Sequence, residues 1–325
     1  MRPPAFWRGP ERGFMAGLMT PLAALYGTVA AQRLRQHGVQ LDVPVLCVGN
    51  FTVGGTGKTP VVLALTRMLR ARGLHPAMLS RGFGRDAQDL LKVDPLRHGA
   101  RDVGDEPLLL AEMAPTYVAA DRLAAAAAAI SEGADVLVMD DGLQNPGLVK
   151  TLSFAVVDAA VGFGNGCVLP AGPLRASLHD QWPLIAAVIL VGAGGEGVAQ
   201  MARAQGKSVL RADLRPDAAA VAGLTGRKLL AFAGIGRPEK FFTTLREVGG
   251  DIVATRSFGD HHRFTAHEVA GLRAAALAQN AQLVTTTKDF ARLPARQRHD
   301  IMVLPVELVF NEPEAVNALL AAHLR

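Results

Sequence analysis

Short apolar runs alternate with segments of helical period along most of the chain. Val45, Leu46 and Val48 form the first run. A glycine-dense loop follows, and then a segment over 60–72 with apolar residues at 61, 62, 65, 68 and 69, opened by Pro60 and closed before Gly73. Proline at the start and glycine past the end mark a helix. Further short, mostly apolar runs at 76–79, 116–119, 135–139, 152–157 and 186–191 predict buried strands. Between two of them Asp121 caps a predicted helix over 122–131 that holds six successive alanines. Strands alternating with helices predict an α/β fold, a doubly wound, mostly parallel sheet of the P-loop NTPase type. The glycine-rich stretch 192–197 ends this run.

The pattern restarts at Lys228. Strands are predicted at 229–233, 252–255, 282–285 and 301–306, helices at 238–248, 266–278 and from Glu312, and a loop at 286–289. This predicts a second, smaller α/β domain joined within 219–226. The expected organisation is an N-terminal helix over 1–32, a core domain over 33–222 and a smaller lobe over 223–325.

Residues 13–31 carry no charge and include Phe14, Met15, Leu18, Met19, Leu22, Leu25 and Tyr26. Arg2, Arg8 and Arg12 precede this stretch, opposed by Glu11, and Arg33 and Arg35 follow it. A stretch of 19 uncharged residues is near the lower limit for spanning a bilayer. A cleaved signal peptide, a transmembrane helix, a helix lying in the membrane interface and a buried core helix all fit the length. Gly17, Thr20, Pro21, Gly27 and Thr28 dilute its apolar character and favour the interfacial reading on the cytoplasmic face, with the arginines on anionic headgroups.

Composition excludes several classes. Half of the 325 residues are hydrophobic, enough for a packed core, so disorder is not the dominant state. Cys47 and Cys167 are the only cysteines, and their separation indicates neither a disulfide framework nor a zinc site. A net charge of +5 suits anionic partners, but 19% charged and 5% aromatic residues do not resemble a nucleic-acid surface. No protein partner is predicted.

The first strand, loop and helix carry the clearest chemistry. Asn50 is followed by Thr52, Val53, Gly54, Gly55, Thr56, Gly57, Lys58 and Thr59. Backbone amides of such a loop turn toward an anion and the helix N-terminus adds its positive end. Lys58 reaches β- and γ-phosphates and the Thr59 hydroxyl holds Mg²⁺, a site for ATP or GTP. The strict pattern has glycine five residues before Gly57, where this chain has Thr52. Asp140 and Asp141 end an apolar strand downstream, the arrangement of a second Mg²⁺-holding element. Phosphoryl transfer then needs a proton acceptor. Asp105 in GDEP and His261 in DHH are the candidates, although Asp105 and Glu106 equally suit the N-terminal amides of the following helix. Adjacent residues in an extended segment point opposite ways, so His261 and His262 are disfavoured as a metal pair. Arg81, Arg85, Arg122 and Arg175 are candidate phosphate binders that sequence alone does not rank.

In order, GNFTVGGTGKTP (49–60), SRGFGR (80–85), GDEP (104–107), DDGLQ (140–144), LPAGPLR (169–175), FGDHHRF (258–264) and TTTKD (285–289) resemble the tetraacyldisaccharide 4′-kinase family over nearly the whole chain. The resemblance implies transfer of the ATP γ-phosphate to the 4′-hydroxyl of a tetraacylated glucosamine disaccharide 1-phosphate at the inner face of the cytoplasmic membrane. It implies ATP and Mg²⁺ as cofactors, and a smaller lobe that closes over the site. By motif, Asp105 is the base assisted by His261, Lys58 contacts the phosphates, and Thr59, Glu106 and Asp140 surround the metal. Asp141 and Arg175 are accessory, and Asn50, Arg81 and Arg122 complete the candidate set. The chain departs from the family's usual PLRE at Ala176 and from its usual TTEKD at Thr287. Two other classes compete: a small-molecule P-loop kinase or ligase of the dethiobiotin-synthetase type, which needs no apolar N-terminal helix, and a membrane-associated nucleotide switch. The switch class carries a signature lysine early in the loop, which 50–56 lacks.

Overall fold

A computed structural model describes residues 4–7, 9 and 13–324. Arg2, Arg8, Glu11 and Arg12 of the expected headgroup-binding cluster lie outside the described residues. The strands are β1 (Val45–Gly49), β2 (Pro76–Ser80), β3 (Leu91–Lys92), β4 (Thr116–Val118), β5 (Val136–Asp140), β6 (Leu152–Asp158), β7 (Ala187–Val191), β8 (Ser208–Pro216), β9 (Lys228–Ala233), β10 (Asp251–Ser257), β11 (Gln282–Thr286), β12 (Ile301–Leu304) and β13 (Val306–Phe310). The helices are α1 (Phe14–Leu34), α2 (Lys58–Ala71), α3 (Ala100–Val103), α4 (Asp105–Ala111), α5 (Arg122–Ser131), α6 (Leu178–Gln181), α7 (Glu196–Ala204), α8 (Ala218–Leu224), α9 (Pro238–Glu247), α10 (Ala266–Ala278), α11 (Thr287–Arg292) and α12 (Pro313–His323).

A nine-stranded sheet runs β13-β8-β7-β6-β1-β5-β2-β4-β3, parallel except where β13 meets β8 and β3 meets β4. Its central strands are almost wholly apolar because both faces are covered. Leu46, Val48, Val138 and Ile189 face a core shared with Val61, Val62, Leu65 and Leu69 of α2. Val45, Cys47, Met139 and Leu190 face the opposite core. There the alanine run explains itself, since Ala125, Ala126 and Ala129 let α5 pack closely on the sheet. Complete burial pushes the Cys47 thiol up to about 12. β5 lies beside β1 with Val48 opposite Asp140, so the phosphate loop and the acidic pair leave the sheet at the same carboxyl edge, where open α/β sheets bind ligands.

A four-stranded parallel sheet, β10-β9-β11-β12, carries its own cores on both faces. Two segments differ from the sequence reading. β8 extends the large sheet beyond the glycine-rich 192–197, its half-exposed, polar-rich residues having given no apolar run. The tail expected in the smaller lobe leaves it. Pro305, which cannot donate to a ladder, separates β12 from β13, and β13 pairs antiparallel with β8 while Val316 and Leu320 of α12 enter the large-sheet core. The chain therefore passes between the two sheets along adjacent strands, with the Asp217 amide donating to the Pro305 carbonyl at 3.0 Å.

α1 is long and apolar enough to cross a membrane. The buried-core reading of this helix does not hold: only Ala16 and Ala23 are buried, whereas Phe14 is 85% and Leu25 66% exposed.

Candidate functional site

The phosphate loop is held from below and from one side. Phe51 packs edge-on against Phe163 and Trp182, with ring centroids 5.2 and 4.9 Å away. Each such aromatic pair contributes about 0.5–1.5 kcal/mol beyond its buried area. The LPAGPLR segment fastens the loop's first half: the Val53 amide donates to the Pro173 carbonyl at 2.9 Å, the Arg175 amide to the Phe51 carbonyl at 2.9 Å, and Arg175 Nε to the Thr52 carbonyl at 3.2 Å. Thr52 thus occupies a β-bridge to Leu174 where the strict motif has glycine. Gly57, the N-cap of α2, has φ of +88°, a left-handed conformation that disfavours any side chain. A Cβ at Gly54 or Gly55 would meet nothing within 4 Å, which leaves open space over the loop. Asn50 Nδ2 reaches the Gly54 carbonyl at 3.4 Å, while Asn50 Oδ1 and Thr56 Oγ1 are buried without a partner.

The two adjacent aspartates behave differently. Asp141, in the left-handed region at φ 55°, accepts Arg175 in a two-pronged contact at 2.8 and 2.9 Å. Lys58 Nζ stands 3.9 Å from it. Asp140 is 1% exposed and neither carboxylate oxygen has a partner. Burial, then the charge of Glu106, pushes its pKa up to about 7 against the pull of Lys58. Glu106 Oε1 accepts from Thr59 Oγ1 at 3.3 Å and from Lys288 Nζ at 2.6 Å. Lys288, followed by burial that opposes it, holds the Glu106 carboxyl below its ordinary value. Two orphaned, fully buried carboxylate oxygens beside a hydroxyl and a second carboxylate suit a hard divalent cation. No cluster of three or more His, Cys, Asp or Glu able to hold a metal occurs among the described residues. Such a cation would complete its shell with phosphate oxygens and water, the habit of Mg²⁺.

The third constellation joins the two sheets. Asp105 opens α4, and His261, at φ 55°, belongs to the loop after β10, with Phe83 packed edge-on to its ring at 5.4 Å. His261 Nδ1 lies 3.3 Å from Asp105 Oδ2. The N-terminal amides of α4 receive no side-chain cap, so capping is not what Asp105 and Glu106 do there. Burial pushes the Asp105 carboxyl up, but the His261 hydrogen bond and the charges of Arg292 and Lys288 outweigh it and hold the group well below the usual carboxylate range. The hydrogen bond to Asp105 raises the His261 pKa against burial. His262 turns away, bonded to Glu268 Oε1 at 3.0 Å and stacked on Phe258.

Of residues 286–289, expected as a loop, Thr286 ends β11 and 287–289 begin α11, with the Thr286 hydroxyl capping the Asp289 amide at 3.1 Å. Arg292 at the end of this helix reaches Asp105, and no motif had included it. Its signal was its place one helical turn after Lys288, which becomes meaningful only once 287–292 is known to be a helix. Ala176 is fully buried, its carbonyl accepting from Gln181 Nε2 at 2.7 Å. Arg122 is 4% exposed with Nε unpartnered, and burial and neighbouring Arg81 push its pKa down to about 10. The phosphate loop, Asp140, Asp141, Arg81, Arg122, Arg175, His261, Lys288 and Arg292 all line one cavity of about 1610 Å³.

The sequence model of the family described as tetraacyldisaccharide-1-P 4′-kinase matches residues 15–325. A tetraacyldisaccharide 4′-kinase of Methylobacterium sp. (strain 4-46) is 53% identical over 329 residues, covering 100% of this chain and 98% of its own. The enzyme of the same name from Bradyrhizobium sp. (strain BTAi1) is 50% identical over 331 residues, covering 100% of this chain and 96% of its own. The crystal structure of LpxK from Aquifex aeolicus in complex with ATP superposes with a TM-score of 0.77 at 23% identity, covering 96% of this chain and 100% of that one, a likeness of fold. By family match and by identity along its whole length, the chain belongs to the tetraacyldisaccharide 4′-kinase family.

Proposed function

We propose that this protein transfers the γ-phosphate of ATP to the 4′-hydroxyl of a tetraacyldisaccharide 1-phosphate, working on the cytoplasmic face of the membrane. The observation that carries the reading is the meeting, in one cavity, of a phosphate loop and His261, whose Nδ1 stands 3.3 Å from the buried Asp105 carboxylate. Lys58 and the amides of 54–59 bind the donor phosphates. Asp105 takes the proton of the acceptor hydroxyl and His261 orients it. Thr59, Glu106 and Asp140 would hold Mg²⁺, which when bound would neutralise charge on the donor phosphates. Asp141 and Arg175 keep Lys58 and the loop in register, and Arg81 and Arg122 supply positive charge on the acceptor side. The exposed apolar face of α1, followed by Arg33 and Arg35, supports a helix lying in the membrane interface, where a lipid with four acyl chains resides.

The test is transfer of labelled γ-phosphate from ATP to tetraacyldisaccharide 1-phosphate in detergent micelles, with labelled lipid as the expected product. Absence of labelled lipid from folded, ATP-binding protein would overturn the reading. Deleting residues 1–32 is expected to move the protein from vesicles to the soluble fraction, and unchanged partitioning would refute the role of the helix.

A further inference from the structure

Arg292 ends α11 with its side chain 4% exposed. Its Nε donates to Asp105 Oδ2 at 2.8 Å, and its Nη2 contacts the same oxygen and stands 3.3 Å from His261 Nδ1. Its Nη1 donates to the Gly234 carbonyl at 2.7 Å and to Asp289 Oδ1 at 3.0 Å. Asp289 is itself fixed by the Thr286 hydroxyl at 2.8 Å. One planar fork therefore spends its donors on the candidate base and on two anchors in the smaller lobe, with the base's partner His261 alongside. A lysine ammonium, a single point on a flexible stem, does not span these groups.

The contacts on Asp105 are one-sided. Arg292 and His261 both address Oδ2, and no hydrogen bond reaches Oδ1 among the described residues. A carboxylate gripped through one oxygen keeps the lone pairs of the other for a proton.

We propose that Arg292 is a positioning residue for the transfer reaction. It holds Asp105 through Oδ2 and so presents Oδ1 to the acceptor hydroxyl. The inference rests on the function proposed above. In that step the hydroxyl O–H bond breaks and its proton passes to Oδ1, while the oxygen forms a bond to the γ-phosphorus. The bond from the γ-phosphorus to the bridging oxygen breaks, its electron pair leaving with ADP. Because the guanidinium is anchored on Gly234 and Asp289 but grips a residue of the large-sheet domain, the base is aligned only where the two lobes meet. A structural role alone would make Arg292 an interlobe ion pair, and such buried pairs are weak contributors to stability.

The experiment compares wild type, Arg292→Lys, Arg292→Ala, His261→Ala and the double variant in the detergent assay. Arg292→Ala is expected to lose about 10²-fold in kcat, as misplacement of a reacting group does, with the KM for ATP changed by less than about twofold. Arg292→Lys is expected to remain well below wild type. Added guanidinium at a non-denaturing concentration is expected to recover about tenfold in Arg292→Ala and nothing in Arg292→Lys, and the double variant to be no slower than His261→Ala. Wild-type kcat in Arg292→Ala overturns the proposal. So does a parallel loss of turnover and nucleotide binding without guanidinium rescue. If Arg292→Ala does not fold, Asp289→Ala removes one anchor and keeps both charges at Asp105; it is expected to lower kcat about tenfold, and unchanged kcat refutes the role. A wild-type protein inert in the assay fails the functional reading itself, an outcome distinct from active protein indifferent to Arg292.

Discussion

The phosphate loop and the Asp105 cluster, whose His261 and Arg292 line the same cavity as the loop, are built in opposite ways. Residues 50–59 lie on one continuous segment, stiffened by a parallel strand before it, a helix after it and the LPAGPLR backbone beside it. Asp105, His261 and Arg292 come from three separate elements, and the base is separated from Arg292 by 187 positions. The first is a backbone site whose geometry follows from local conformation. The second is a side-chain site that exists only where the small sheet docks on the large one. Phosphate binding by the loop amides follows from local conformation, with the smaller lobe touching that side only through Lys288 on Glu106, whereas proton transfer is tied to lobe geometry.

Substitutions can break that division of labour. The largest effect is expected from Asp105→Asn, which keeps the shape and removes the base: kcat falls by about 10²–10⁴ while ATP affinity, read by fluorescent-nucleotide titration, stays near wild type. A matching loss of ATP affinity would merge the two regions into one. Lys58→Ala is expected to lower turnover by roughly 10²–10³, the scale of losing one transition-state charge contact, and to weaken ATP binding too. Arg175→Ala frees Asp141 to draw in Lys58, and should raise the KM for ATP about tenfold, the equivalent of one charge-assisted hydrogen bond, with a smaller change in kcat.

The smallest and most local effect concerns stability. With its pKa raised from 3.8 to about 7, Asp140 binds a proton in the folded protein between those values that the unfolded chain does not bind. Stability therefore falls as pH rises through that window. Asp140→Asn has no charge to bury, so in chelator-treated protein its Tm should exceed that of wild type at pH 8 and match it near pH 4. Each kcal/mol recovered corresponds to roughly 2–4 °C. Equal Tm differences at both pH values would mean that Asp140 is not a strained, orphaned carboxylate.

Much of this was legible beforehand, for identifiable reasons. The central strands of the large sheet declared themselves because burial on both faces makes nearly every position apolar, and the capping box of Thr265 and Glu268 marks α10, predicted at 266–278, at its observed start. The elements that escaped lack such signals. β8 is half exposed, and β12 and β13 merge into one mostly apolar run interrupted at Pro305 and Glu307. Asp105 and His261 were nameable by motif, whereas Arg292 was not, since nothing in its local sequence distinguishes it from a surface arginine.

By itself the sequence determined what local chemistry dictates: an anion-binding turn, two acidic residues at a strand end, an apolar helix near bilayer length, and two α/β blocks. Tertiary structure decided what depends on distance across the fold. It set Asp141 against Arg175 and left Asp140 bare, returned the last strand to the first sheet, and brought the smaller lobe's Lys288 and Arg292 onto Glu106 and Asp105. The reason is physical: backbone propensities act over a few residues, while a buried carboxylate's partner is whichever cation the packing of distant elements delivers to it.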